Sequence, residues 1–203
     1  MKKVKDYYYQ KAKKENYSAR SVYKLKEINE KKHFIKRGQK ILELGAAPGS
    51  WSEYVSKILG QEGFVLGIDL KERPKKISDN APFIRGDVFE IDLSVYKNYT
   101  KSYSGIISDM APNTTGHKNT DHLQSVALCE KSLYLSLQLV KKGGYLLVKI
   151  FQGSDFQNFV NRMKKHYGSV SILKPKSSRK ESKEIFILGL NKFQEPVDNP
   201  SWE

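Results

Sequence analysis

A lysine set in apolar sequence is the first sign of chemistry. In LLVKIF (146–151) Lys149 is the only charged residue. Burying an ammonium is unfavourable unless it has a partner or a task. The bland alternative is a lysine at a strand mouth whose head extends into solvent. A second apolar run, SGIIS (104–108), opens directly into Asp109. A third, KILEL (40–44), ends in Gly45-Ala-Ala-Pro48-Gly49. Glycines there let the backbone turn sharply and approach a ligand. Their G-x-x-x-G spacing is not the G-x-G-x-x-G that cradles a dinucleotide pyrophosphate. An NAD-type oxidoreductase is disfavoured on that ground. A ligand without phosphate, S-adenosylmethionine, suits the loop better. Two more runs end in acids, Asp69 and Asp87. Asp69 is placed to accept hydrogen bonds from ribose hydroxyls, and Asp87 to meet an adenine edge. Both could instead be ordinary turn residues.

These residues need a frame. The spacing predicts a helix over 19–31 capped by Ser18, with Val22, Leu25 and Ile28 on one face. KILEL is the first strand, and a helix over 50–59 closes at Gly60. FVLGIDL (64–70), PFIRGD (82–87), SGIISDM (104–110) and YLLVKIF (145–151) read as strands two to five. A long helix is expected over 121–141 and another over 155–166. SVSILK (169–174) and EIFILGL (184–190) have no helix between them, which suits an antiparallel hairpin at the end of the sheet. The alternation predicts an α/β fold: a Rossmann-like, doubly wound, mostly parallel seven-stranded sheet with an antiparallel last strand. Ligands of such sheets bind beyond the carboxyl ends of the strands. One domain is expected over 1–203. Residues 1–17 are a partly flexible, basic, tyrosine-rich segment and 191–203 a C-terminal tail.

The motifs resemble a known family. SARSVYKLKEI (18–28), LELGAAPGSWSEYV (42–55), SDMAPN (108–113), VKIFQG (148–153) and SKEIFIL (182–188) are similar to the FtsJ/RrmJ ribose 2′-O-methyltransferases. They fall in family order from about residue 7 to 190. The small size most resembles the bacterial branch that methylates a uridine of 23S rRNA in the large ribosomal subunit. The resemblance implies a class I methyltransferase fold and S-adenosylmethionine as cofactor. Cofactor contacts are expected from Gly45, Gly49, Trp51, Asp69, Asp87 and Asp109. It marks Lys24, Asp109, Lys149 and Glu184 as the catalytic set, with no metal. Two departures are Ser50, where that branch often has glycine, and Glu43, where it has aspartate.

A ribose hydroxyl is a weak acid and a poor nucleophile. Holding it in line with the methyl donor can supply up to ~7–11 kcal/mol of barrier reduction. A base adds ~2–4 orders of magnitude. Lys149 could take the proton or, as an ammonium, only orient the hydroxyl. A second cation, Lys24, favours the first role; Asp109 and Glu184 oppose it.

Charge points to the partner. The net charge is +14, and residues 1–40 hold 14 Lys+Arg against 4 Asp+Glu. Residues 161–183 hold 8 against 1, whereas 41–160 balance at 13 of each. Two basic segments on a neutral body are the footprint expected for phosphate backbones, or else a solvated lysine-rich surface. Tyr7, Tyr8, Tyr9 and Tyr17 lie in the first segment and could stack on unpaired bases or pack the helix onto the domain. RNA is therefore the expected partner, with no membrane and no obligate protein partner. The single cysteine, Cys129, allows no internal disulfide and fits a cytoplasmic protein. Alternatives are a tRNA anticodon-loop ribose methyltransferase and a non-catalytic RNA-binding ribosome-assembly factor.

Overall fold

The computed structural model describes residues 7–179 and 182–194. Thirteen elements follow in order among them. They are α1 (Tyr7–Lys14), α2 (Val22–Lys32), β1 (Lys40–Leu44), α3 (Ser50–Leu59), β2 (Phe64–Asp69), β3 (Phe83–Arg85) and α4 (Leu93–Lys97). Then come β4 (Tyr103–Ser108), α5 (Lys118–Leu139), β5 (Val140–Phe151), α6 (Phe156–His166), β6 (Tyr167–Leu173) and β7 (Glu184–Lys192). The seven strands form one sheet in the order β3-β2-β1-β4-β5-β7-β6. β1 to β5 pair in parallel; β7 is antiparallel to both β5 and β6.

The two-residue alternation of a strand divides the core. Leu42, Leu44, Leu66, Ile68, Ile106, Leu146 and Val148 pack on one face, with Leu133 and Leu139 of α5 and Phe159 and Met163 of α6. Their sequence neighbours Ile41, Val65, Ile107 and Leu147 face the other way. They meet Leu25 and Ile28 of α2 and Trp51, Val55 and Leu59 of α3. Both faces are covered, as a parallel sheet requires. The parallel strands β1, β2, β4 and β5 therefore end at one crevice, and antiparallel β7 begins there.

The antiparallel hairpin stands at the end of the sheet as expected, with β7 between β5 and β6. Burial explains the placement. Residues 185–189 of β7 are buried, while β6 is largely open to solvent and Ile172 is half exposed. A strand apolar on both faces belongs in the interior. Other expectations are corrected. Ser18 caps no helix. α2 starts at Val22 with Ser21 in the cap position, and Ser18 donates through N and Oγ to Glu53 of α3, at 2.8 and 2.6 Å. The long helix begins three residues earlier than expected, at Lys118, and ends at Leu139 because Val140 already enters β5. The short α4, capped by Asp92 accepting from Ser94 N at 2.7 Å, was not foreseen. In the segment expected to be loosely ordered, residues 1–6 lie outside the described residues, and 7–14 form α1 with Ala12 buried. Most of the C-terminal tail, 195–203, also lies outside them.

Candidate active site

The crevice opens where β1, β2, β4 and β5 end. Gly45 turns the chain out of β1 with φ +79°, and its N–H donates to the Ile68 carbonyl at 2.9 Å. A Cβ on Gly45 would lie 2.8 Å from the Met110 backbone nitrogen, so the position has no room for a side chain. Gly49, at φ +116°, stands at the cap position of α3. The first-turn amides of α3 have no intrahelical acceptor and point toward the crevice end of the sheet. Asp69 ties the loop down: Oδ2 accepts from Ala47 N at 2.9 Å and Oδ1 from Lys71 N at 2.8 Å. Asp87 Oδ1 accepts from Phe89 N at 2.9 Å.

Gly45, Asp69 and Asp87 line one cavity, walled by Ile68, Leu70, Val88, Phe89, Met110 and Leu128. Two carboxylates above apolar walls fit an adenosyl group, whose ribose and base edge need acceptors and whose ring needs apolar surfaces. Of the expected cofactor residues, Gly45, Asp69 and Asp87 line this cavity, while Gly49 stands at the α3 cap and Asp109 precedes the lining Met110. Trp51 is only 2% exposed; its indole N–H donates to the Ser21 carbonyl at 2.9 Å and its ring lies 6.0 Å from Phe186. Its side chain therefore packs in the core beneath the site and does not line the cavity. The sequence reading missed the apolar walls. Phe89, exposed and two residues past Asp87, was the available signal.

Lys149 is 7% exposed. Its Nζ donates to the carbonyl of Asp109 at 2.7 Å and to Asp109 Oδ1 at 2.8 Å. The buried ammonium thus has its partner, at the ends of two adjacent parallel strands. Lys24 Nζ pairs with Glu184 Oε2 at 2.5 Å across 160 residues of sequence. Register joins the two pairs. Lys149 lies opposite Phe186 and Phe151 opposite Glu184, so Lys149 and Glu184 are diagonal neighbours on one face, a spacing of roughly 7–8 Å or somewhat less in a regular sheet. Lys24 sits 5.9 Å above the Phe186 ring. Burial alone would raise the Glu184 carboxyl, but Lys24, and behind it Lys149, hold it below the ordinary carboxylate range. All four expected residues therefore come together as two linked ion pairs.

Lys24 and Glu184 also line a cavity with Arg20, Ser21, Arg179 and Ser182. The sequence reading had not singled out Arg20 or Arg179. The cavity is where the two basic segments meet. Arg20 donates to the Ser177 carbonyl, and Glu27 accepts from Lys176 N at 2.6 Å and Ser177 N at 3.0 Å. α2 thereby fixes the basic β6–β7 loop beside the crevice. The tyrosines divide. Tyr8, Tyr17 and Tyr23 pack against one another, whereas Tyr7 and Tyr9 are exposed.

Two further groups had been given no role. Glu43 is buried beneath α3 and accepts from Ser52 Oγ at 2.5 Å. Burial pushes its carboxyl up to about 8, against that hydrogen bond, with Asp109 adding to the push. His122 is buried beside the loop that leaves β5. Its Nδ1 meets the Phe151 carbonyl at 2.9 Å, and its Nε2 accepts from Asp155 N at 3.0 Å. These bonds assign the ring proton to Nδ1 and tie α5 to the loop following Lys149.

A seven-stranded sheet with this order and an antiparallel seventh strand, with acids at its strand ends, defines a class I S-adenosylmethionine-dependent methyltransferase fold. The model of the FtsJ-like methyltransferase family matches residues 17–192. The chain belongs to that family. It is 44% identical over 188 residues to a ribosomal RNA large subunit methyltransferase E from Desulfatibacillum aliphaticivorans, covering 93% of this chain and 91% of that protein. A protein of the same name from Desulfotalea psychrophila is 46% identical over 195 residues, covering 94% and 97%. A crystal structure described as a ribosomal RNA methyltransferase from Plasmodium falciparum superposes with TM-score 0.78 at 29% identity, covering 88% of this chain and all of that one. Fibrillarin from Aeropyrum pernix, solved with natively bound S-adenosyl-L-methionine, shares the fold at TM-score 0.56 and 18% identity, covering 77% of this chain and 68% of that one.

Proposed function

We propose that the protein transfers a methyl group from S-adenosylmethionine to a ribose 2′-hydroxyl of large-subunit ribosomal RNA, at a uridine of 23S rRNA. The observation that carries this reading is the buried Lys149–Asp109 pair at the cofactor crevice, beside the Lys24–Glu184 pair in a cavity edged by Arg20 and Arg179. The cofactor supplies an electrophilic methyl on a sulfonium. Asp69 and Asp87 would hold its ribose and adenine. The names borne by relatives that align over nearly their full length support the ribosomal RNA substrate.

Chemically, the ribose oxygen forms a bond to the methyl carbon as the carbon–sulfur bond breaks, and the hydroxyl proton must leave. Lys149 is a buried amine held by Asp109 at the end of β4, next to the strand ends that form the crevice. As an ammonium it orients the hydroxyl oxygen; as a free amine it accepts the proton. Asp109 fixes it in place. Lys24, aligned by Glu184, presents a cation toward the substrate side. Arg20 and Arg179 add guanidinium charge at the edge of the cavity, suited to flanking phosphates. The protein acts in the cytoplasm, on the large subunit. Among the described residues no helix is long and apolar enough to cross a membrane.

The test is methyl transfer from labelled S-adenosylmethionine to large ribosomal subunits, small subunits, tRNA and cap analogues. The expected product is a 2′-O-methylated uridine in large-subunit RNA. Transfer to tRNA alone would redirect the reading to an anticodon-loop enzyme; no transfer to any RNA would overturn it.

A further inference from the structure

The chain's first basic segment does not form one surface. α2 starts at the crevice with Lys24 and ends at the opposite end of the sheet, where the chain turns into β1. Residues 31–40 carry Lys31, Lys32, Lys36, Arg37 and Lys40 and no carboxylate. The fold adds Lys141 and Lys142, which open β5 at that same end. Lys32, Lys36, Lys141 and Lys142, with His33, line a cavity of about 400 Å³ that includes no acidic residue. Among the described residues Lys36, Lys141 and Lys142 are exposed and make no ion pair.

Its scaffold is fixed. Gln39 Oε1 accepts from Lys36 N at 2.9 Å and from the Tyr145 hydroxyl at 3.1 Å, while Gln39 Nε2 donates to the Phe34 carbonyl at 3.1 Å. Phe34 and Tyr145 pack edge to face, with centroids 4.9 Å apart. Lys32 is held by Ser171 Oγ at 2.9 Å. Cations gathered within a Debye length repel one another, and a preorganised cluster of them is a fit for a polyanion.

We propose that this surface, at the amino ends of the parallel strands, binds the phosphate backbone of a second segment of the RNA that carries the target ribose. The inference rests on the reading of the substrate as ribosomal RNA. From Tyr145 to Lys149 the strand already rises about 13 Å, and Lys141 and Lys142 lie beyond Tyr145. A phosphate held by them belongs to a different part of the folded RNA from the nucleotides in the crevice. The enzyme would then grip its substrate at both ends of the sheet, and would favour folded RNA over a short strand.

The test replaces Lys141 and Lys142 together by Gln, and separately by Glu, and follows binding to large subunits against salt. The slope of log Kd on log salt should fall by about 1.5 for the Gln pair, at roughly 0.7–0.9 per lost phosphate contact. KM for large subunits should rise about tenfold, and further for the Glu pair, with kcat and cofactor affinity unchanged. A short single-stranded RNA holding the target nucleotide should bind both variants as it binds the parent protein. An unaltered salt slope and KM for large subunits would overturn the proposal. So would equal weakening for the short RNA, which would mean a general field and not a contact. If the parent protein methylates no RNA, the reading of the reaction fails, while the salt slope still decides this surface.

Discussion

Replacing Lys149 by Met removes the ammonium and keeps most of the side-chain volume. Two hydrogen bonds to Asp109 are lost, at 2.7 and 2.8 Å. Charge-assisted bonds contribute ~1.5–3 kcal/mol each, and breaking a fully buried pair costs ~3–5 kcal/mol. The Asp109 side chain is 16% exposed, so water relieves part of the orphaned carboxylate. The expected loss of stability is about 2–4 kcal/mol. Turnover should fall by ~10²–10⁴, the range for a group that handles the transferred proton, or ~3–5 kcal/mol of barrier. Urea unfolding and single-turnover methyl transfer measure the two losses separately. Adding Asp109→Asn removes the stranded charge, so the double variant should regain most of the stability and none of the activity. Turnover of Lys149→Met within a few-fold of the parent would refute the argument. So would a double variant that recovers turnover along with stability, since Lys149 would then serve only to satisfy Asp109.

In the second pair, Lys24→Ala should lower turnover severely and Glu184→Ala less, because Lys24 remains present but loses its 2.5 Å anchor. A Glu184 variant worse than the Lys24 variant in single-turnover assays would reverse these roles. Glu43→Gln should change how stability depends on pH. The folded carboxyl titrates at about 8, above its ordinary value, so the folded parent holds a proton that the unfolded chain has released. Parent stability should therefore fall as pH rises from about 4.5 to 8, by on the order of 3–5 kcal/mol. The Gln variant should lack that fall, and parallel urea midpoints at pH 5 and 9 would contradict the burial argument. Glu27→Ala frees the Lys176 and Ser177 amides. It should raise KM for RNA roughly threefold to tenfold, as expected for lost hydrogen bonds, and speed tryptic cleavage after Lys176. Unchanged cleavage would show that the loop is held by other contacts.

The sequence by itself determined the order of the seven strands and of the longer helices between them, because apolar periodicity and glycine punctuation are local. It also marked the glycine loop and the acids at the ends of β1's neighbours, since a strand end is visible as the point where an apolar run stops. Lys149 stood out because an ammonium in apolar sequence demands a partner. The partner's identity was a matter of register: β4 and β5 align Ser108 with Val148, which sets Asp109 beside Lys149. Nothing local announces that Lys24 meets Glu184 across 160 residues. That contact exists because β7 slides between β5 and β6 and turns Glu184 toward α2. The same long-range packing divided the tyrosines between core and solvent, and left Trp51 facing the core. It also split one basic stretch of sequence between two ends of the sheet. Net charge is a property of composition, but where each charge points is decided by the helix that carries it, and α2 runs the depth of the domain.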